Sequence, residues 1–510
     1  MESRVKNTAR NSLVGIITYM ITVILSFLTR TFFIKVLGNT YLGLNGLFSD
    51  ILQILSLAEL GVGTAILFAM YKPVAYNETK KIAAYMNFYK KLYNMIGIIV
   101  SIVGLLLTPF LHFFISGIPD IPNIELIYIL YLFNTSLSYF FSYKRSMLIV
   151  NQYTYINTLN IFIFSVIQQF LQILLLLFTS DYILYLLIQV GCTIVSNIVI
   201  SRKVDKMFPY LNEFKNERLE KHEINELKTN VLSMMASKIS SVFVTSTDNI
   251  LISKFVSTTF LGLYSNYTMV TTMVKTIIQK IFDGLTGSVG NYIAKEAQCK
   301  QREMYFNILF INYLIVSFCC IGFYVLINDF ILLWLGNKYI LKEGIVLLIS
   351  TNLFFRLIRN TTLTYIDTLG LFKKIKIKAI VEALVNLIMS LVLVLYFNLS
   401  IYGILLGTLI SNFVANYFWE AYIVNKEINV SQLYYHKKML LYILVTILIS
   451  FLSKFINHYI MFNNFLLNLF IHGFIYVCIA LVVYLLIFHK SQEFKYCYSL
   501  FKNTILKKMS

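Results

Sequence analysis

The chain has 510 residues, 58% of them hydrophobic and 13% charged, with a formal net charge of +19. A soluble domain carries about 25% charged residues, so this composition excludes a soluble fold. Apolar runs of about 20 residues, the length that crosses a hydrocarbon core of about 30 Å, recur from Leu13 to Phe488 and make it a multi-pass membrane protein.

Fourteen spans are predicted, near 11–37, 40–70, 84–115, 124–143, 155–178, 182–201, 229–253, 259–293, 304–335, 344–370, 379–398, 401–424, 439–460 and 464–488. The first follows a basic start, as a signal peptide does. It is too long for a signal peptide's apolar region, and no small-x-small cleavage site closes it, so it is expected to stay as a span. The loops that alternate on one side carry most of the basic charge. They include Lys72 to Lys91, Lys144 and Arg145, Arg202 to Lys228, Lys295 to Arg302, Lys373 to Lys378, Lys426 to Lys438, and the tail from Lys490. The other side carries only Lys35, Lys254, Lys338, Lys342 and Lys454. This asymmetry is the positive-inside pattern, and it places both termini in the cytoplasm. The basic excess is topological, so nucleic acid is not an expected partner.

The single long polar stretch, 202–228, alternates Glu and Lys and reads as a solvated cytoplasmic helix or linker. The two halves that it separates look related. KVLGNTYLGL (35–44) and KFVSTTFLGL (254–263) share five of ten residues, and each joins the first span of its half to the second. The expected fold is therefore an all-α membrane protein with two pseudo-symmetric six-helix lobes and two extra C-terminal helices. The lobes are 1–203 and 229–424, joined by the linker 204–228, with 425–510 holding the extra helices and a basic tail. An even number of crossings in each half gives parallel repeats, with a cargo site between them. Gly403-x-x-x-Gly407 predicts a close helix contact. The last two spans lack buried Lys or Arg, and His472 is their only strongly polar interior residue.

Arg30, Lys238, Lys275, Lys280, Arg356 and Arg359 lie inside predicted spans. A basic side chain at mid-membrane costs about 2.5–3.5 kcal/mol on insertion scales. The cheaper arrangement turns all six inward, toward counter-ions or a wet cavity, and such an interior suits an anionic cargo. Polar stripes accompany them. Ser233, Ser237, Ser241, Thr245 and Asp248 share a face of the seventh span, and Thr268, Thr272, Lys275 and Gln279 share one on the eighth. Hydroxyls alone could serve close packing. A stripe that includes Asp248 or Lys275 calls for a wet cavity.

Among the intramembrane carboxylates, Asp367, Glu382 and Glu420 fall within two turns of the inner face and read as interfacially solvated. Asp283 follows Lys280 by three residues and can pair with it. Glu59 and Asp248, with Asp50 and Asp283 behind them, are the candidates for binding H⁺ or Na⁺; the alternative is structural pairing with Arg30 or Lys275. No Gly-Lys dipeptide exists, so no Walker A loop is present. The six cysteines show no metal-ligand spacing and imply no disulfide framework. No HExxH motif occurs and the outward loops are short, so neither an enzyme, a catalytic residue, a metal nor a cofactor is expected.

The segment RTFFIKVLGNTYLGLNGLFSDILQILSLAELGVGTAI (30–66) resembles the amino-terminal region of bacterial polysaccharide-unit flippases. These are the O-antigen and capsule repeat-unit exporters of the multidrug/oligosaccharidyl-lipid/polysaccharide exporter superfamily. FLGLYSNYTMV (260–270) and FDGLTGSVGNYIAK (282–295) are similar to the same family. The resemblance implies a MATE-like fold around a central cationic cavity walled by the first, second, seventh and eighth helices. It also implies a polyprenyl-diphosphate-linked oligosaccharide as cargo, turned from the inner to the outer leaflet of a bacterial cell membrane, with glycosyltransferases and a polymerase as functional neighbours. A drug/cation antiporter of the same superfamily is the alternative. A membrane-embedded polymerase or glycosyltransferase is a more distant one, because the large outer loop it would need is missing.

Overall fold

A computed structural model describes residues 2–59, 62–116, 121–460, 462 and 464–499. Every predicted span has a helical counterpart. The long helices are α1 (Glu2–Leu55), α2 (Val62–Ala75), α3 (Thr79–Leu107), α4 (Ile124–Ser142), α5 (Thr154–Phe178), α6 (Tyr182–Met207), α7 (Lys221–Phe255), α8 (Thr258–Lys295) and α9 (Gln298–Leu335). They continue with α10 (Glu343–Ile358), α11 (Asn360–Thr368), α12 (Phe372–Leu395), α13 (Ser400–Ser411), α14 (Ala421–Glu427), α15 (Gln432–Tyr459) and α16 (Phe465–Phe488). Among the described residues, 10 helical stretches are long and apolar enough to cross a membrane. Among the described residues, the helices of the eighth and tenth predicted spans are not among them; these carry Lys275, Lys280, Asp283, Arg356 and Arg359.

Several spans are broken where the sequence reads as continuous. α1 contains the first predicted span and the start of the second, with a kink at Gly38 (φ 82°), a backbone conformation open mainly to glycine. The rest of the second span is a 3₁₀ turn, Ser56–Glu59, followed by α2. The tenth span divides at Arg359 into α10 and α11. The twelfth runs from α13 through a π-helix, Asn412–Glu420, into α14. π-Helices are rare and occur frequently at functional positions.

The chain divides into two compact units, Met1–Ser265 and Asn266–Ser510. That division falls inside α8, not in the charged stretch 204–228, because α7 packs with α1 and α2 of the first unit. The charged stretch is itself folded. α6 carries into it as far as Met207, a helical turn spans Tyr210–Glu213, and a reciprocal capping box of Glu220 and Glu223 starts α7.

In the first unit, Leu44, Leu47 and Phe48 are fully buried, and Phe48 meets Tyr128 edge-on at 5.3 Å. In the second, α15 and α16 pack into the core around α9. The rings of Tyr313 and Tyr442 stack at 4.2 Å, and the hydroxyls of Ser317 and Tyr484 lie 2.7 Å apart. His472 is held by Asp329 at 2.7 Å and by the Ile460 carbonyl at 2.8 Å. The opposite faces of α15 and α16 expose Leu440, Leu444, Ile447, Phe470, Phe474 and Leu486, the surface a bilayer solvates. Gly403 and Gly407 give the expected close contact: a Cβ on Gly407 would fall 2.2 Å from the Ser390 hydroxyl of α12.

Candidate functional site

In the first unit the two related sequence segments cross each other reciprocally. Thr40 and Thr259, separated by 219 residues, place their hydroxyls 3.2 Å apart. A Cβ on Gly43 would lie 1.9 Å from the carbonyl oxygen of Thr258, and a Cβ on Gly262 would lie 2.0 Å from that of Asn39. Residues 43 and 262, 39 and 258, and 40 and 259 all differ by that same offset, so each contact has its counterpart with the roles exchanged. The crossing is thus isologous, as at a two-fold axis. Only glycine allows backbones so close. Neighbouring polar groups tie it down. The Ser253 and Thr258 hydroxyls lie 2.7 Å apart, and the Thr258 N–H donates to the Ser116 carbonyl at 3.2 Å.

Two predicted site residues flank this crossing. Arg30 donates from Nη2 to the hydroxyl of Ser265, which in turn donates to the Gly262 carbonyl at 2.7 Å. Asp50 accepts from Asn249 Nδ2 at 2.7 Å, and beside it Ser246 donates to Gln53 Oε1 at 3.2 Å. No basic side chain among the described residues lies within ion-pair distance of Asp50. Asp248 is half-buried and engaged in contacts of its own.

Glu59 closes the 3₁₀ turn, where Tyr93 donates its hydroxyl to Oε1 and Tyr89 donates to Tyr93 at 3.2 Å. Gly63 makes room for this tyrosine pair; a Cβ there would fall 2.7 Å from the Tyr89 hydroxyl. Pairing of Glu59 with Arg30 or Lys275 is not observed among the described residues. Its partner is a phenol instead. The Lys238 side chain lies outside the described residues.

In the second unit Lys275 is half-buried, and Arg356 and Arg359 stand close enough for their charges to act on it. No carboxylate among the described residues lies within ion-pair distance of Lys275. Arg359 is different. Its guanidinium forks onto Glu420, with Nε donating to Oε2 at 2.9 Å, and Nη1 faces Glu382 at 3.8 Å. Lys378 completes a quartet, 2.7 Å from Glu382 and 2.7 Å from Glu420. Two cations meet two carboxylates, so the quartet is neutral.

This corrects the interfacial reading of Glu382 and Glu420. They are 8% and 1% exposed, and only the ion partners make that burial tolerable. Asn416 donates to Glu382 at 2.8 Å and to Asn412 at 2.7 Å, extending the polar row along the π-helix. Lys378, Asn412 and Asn416 were not singled out from the sequence. The signals were present: Lys378 and Glu382 are spaced i, i+4, as are Asn412, Asn416 and Glu420. Lys280, Asp283 and Asp367 are exposed, and the predicted Lys280–Asp283 ion pair is not seen among the described residues. Arg30 thus belongs to the first unit and Lys275, Lys280, Arg356 and Arg359 to the second.

No protein-family model and no curated protein matches the sequence. Solved structures do. An inward-facing multidrug-resistance MATE transporter of the MOP superfamily aligns with a TM-score of 0.64 at 15% identity, over 81% of this chain and 98% of its own. The chain has the MATE fold. The lipid II flippase MurJ, in an inward closed conformation, aligns at 0.63 and 16% identity, over 92% of this chain and 99% of its own. A MATE transporter of Vibrio cholerae, as an Asp-to-Asn variant, aligns at 0.56 and 14% identity, over 85% and 100%. The expected all-helical, multi-span MATE-like fold is therefore the observed one.

Proposed function

We propose that this chain is an exporter that turns a polyprenyl-diphosphate-linked oligosaccharide from the inner to the outer leaflet by alternating access. The observation that carries the proposal is Lys275, inside a helix of a membrane fold, near enough to Arg356 and Arg359 for their charges to act on it and with no carboxylate within ion-pair distance among the described residues. Two phosphates need Lys and Arg donors of this kind. The likeness to MurJ, named as a lipid II flippase, supports the same reading. Lys280, of the same unit, is assigned to the same surface, whereas Arg359 is tied into the neutral quartet by its fork onto Glu420. The basic loops support a bacterial cell-membrane topology with both termini inside. Glycosyltransferases that build the cargo and a polymerase that consumes it are the functional neighbours of such an exporter.

A motif for nucleotide hydrolysis is missing from the sequence, so an ion gradient or the membrane potential supplies the energy in this reading. Asp50 and Glu59 are the first coupling candidates, since each is hydrogen-bonded without an ion pair among the described residues. Asp248 and Asp283 follow. The same two carboxylates also favour the second reading, a drug/cation antiporter, which needs acidic groups more than basic ones.

Flipping of a fluorescent lipid-linked oligosaccharide by purified protein in liposomes tests the choice. Lys275→Ala and Arg356→Ala are expected to abolish flipping while leaving insertion intact. Wild-type flipping by both variants would reject the cationic surface. Cation efflux by the wild type, without flipping, would favour the antiporter.

A further inference from the structure

We infer that the first unit holds a binding pocket for the phosphate headgroup of an anionic phospholipid of the inner leaflet, made where the folded 210–224 segment docks onto α3. The docking is specific. Asn87 of α3 donates to the carbonyls of Phe214 and Glu217 at 3.0 and 3.1 Å. Lys81 pairs with Glu223 at 2.9 Å, and Lys80 lies 5.8 Å over the Phe214 ring. Between segment and helix remains a cavity of about 550 Å³, lined by Lys91, Lys215 and Arg218, by Glu217, and by the apolar Leu92 and Met95. That is the size of a small-molecule site.

Charge and direction identify the ligand. Lys80 and Lys81 are engaged in the docking, whereas Lys91, Lys215 and Arg218 make no ion pair among the described residues. Three cations against the single carboxylate of Glu217 leave a positive wall. α3 then supplies the rest. Lys91, Met95, Ile98 and Ile102 follow at steps of four, three and four, so they share one helix face. Met95, Ile98 and Ile102 are exposed at 51%, 52% and 54%. A basic pocket at the top of an exposed apolar track matches a lipid, with its phosphate at Lys91, Lys215 and Arg218 and its acyl chain along Met95 to Ile102. A free phosphate would have no use for the track. Basic pockets at the cytoplasmic side of spanning helices are suited to anionic headgroups. The inference needs only that 202–228 lies on the cytoplasmic side, and is independent of what the protein exports.

The test is native mass spectrometry of the full-length protein in detergent, titrated with phosphatidylglycerol, phosphatidylcholine, inorganic phosphate or a polyprenyl diphosphate. One phosphatidylglycerol is expected to be retained, in preference to phosphatidylcholine, and inorganic phosphate should not displace it. Lys91→Gln/Lys215→Gln/Arg218→Gln together should weaken that lipid by about ten- to a hundred-fold, from the attraction each cation contributes at a membrane surface. The charge-matched control Lys426→Gln/Lys437→Gln/Lys490→Gln, on exposed lysines of the second unit, should change it less than about two-fold. A charge-keeping set, Lys91→Arg/Lys215→Arg/Arg218→Lys, should retain the lipid and separates loss of charge from loss of fold. Equal weakening by both Gln sets would mean diffuse attraction and overturn the pocket. Displacement by inorganic phosphate would reduce it to an anion site. Stronger retention of the polyprenyl diphosphate would make the cargo lipid its occupant and overturn the phospholipid assignment.

Discussion

The reciprocal crossing of the two related segments yields a quantitative expectation. In Gly43→Ala the new Cβ would stand 1.9 Å from the Thr258 oxygen and 2.8 Å from its carbonyl carbon. Both are backbone atoms, so no side-chain rotation relieves the contact, and the segments must separate by about 1.5 Å to restore van der Waals distance. Overpacking of this kind costs about 1–3 kcal/mol, and a backbone clash belongs at the upper end. At about 1.4 kcal/mol per decade, the crossed arrangement loses roughly 10- to 100-fold in population to any conformation in which the segments part. Gly262→Ala meets Asn39 at 2.0 Å and should lose the same amount, because the contact is its symmetry mate.

Disulfide formation in Thr40→Cys/Thr259→Cys measures the crossing directly. The native hydroxyls are 3.2 Å apart, within reach of an S–S bond of about 2.05 Å after a small adjustment. The six native cysteines are all free and would first be replaced. The pair should crosslink rapidly under mild oxidant in the glycine background, and about 10- to 100-fold more slowly with either alanine. If the proposed transport cycle parts these segments, crosslinked protein should cease flipping and recover on reduction. Unchanged crosslinking in Gly43→Ala, or full transport by the locked protein, would refute the reasoning.

Other expectations follow from the same geometry. Glu420→Gln strips one carboxylate from the buried quartet and leaves a cation uncompensated. It should destabilise the second unit by about 3–5 kcal/mol in thermal unfolding, and Lys378→Met in the same chain should recover much of that. Tyr93→Phe removes the phenol that Glu59 accepts from, a hydrogen bond worth about 0.5–1.5 kcal/mol. If Glu59 is the coupling group, the dependence of flipping on proton or Na⁺ concentration should shift in this variant, and an unchanged dependence removes Glu59 from that role. A photoreactive polyprenyl chain is expected to label the exposed faces of α15 and α16, since drawing the tail out of lipid forfeits about 0.8 kcal/mol per CH₂. Labelling restricted to other helices would exclude that surface.

The membrane class, the positions of the spans and the relation between 35–44 and 254–263 were legible in the sequence. Each depends on local composition, and a bilayer imposes a length on every apolar run. The kink at Gly38 coincides with the predicted gap between the first two spans for the same local reason. Pairing was not legible. Glu382 and Glu420 looked interfacial from their distance to the span ends, yet their state is decided by Arg359 and Lys378 arriving from other turns and other helices. The polar stripe around Asp248 was visible, but not that α7 would join the first unit or that Asn249 would meet Asp50. Likewise the 204–228 stretch reads as a solvated linker by composition, whereas Asn87 and Lys81 bind it to α3. A sequence states which groups must leave water or enter lipid. Which partner neutralises a buried charge depends on contacts between residues tens to hundreds of positions apart, and only the packed tertiary structure selects them.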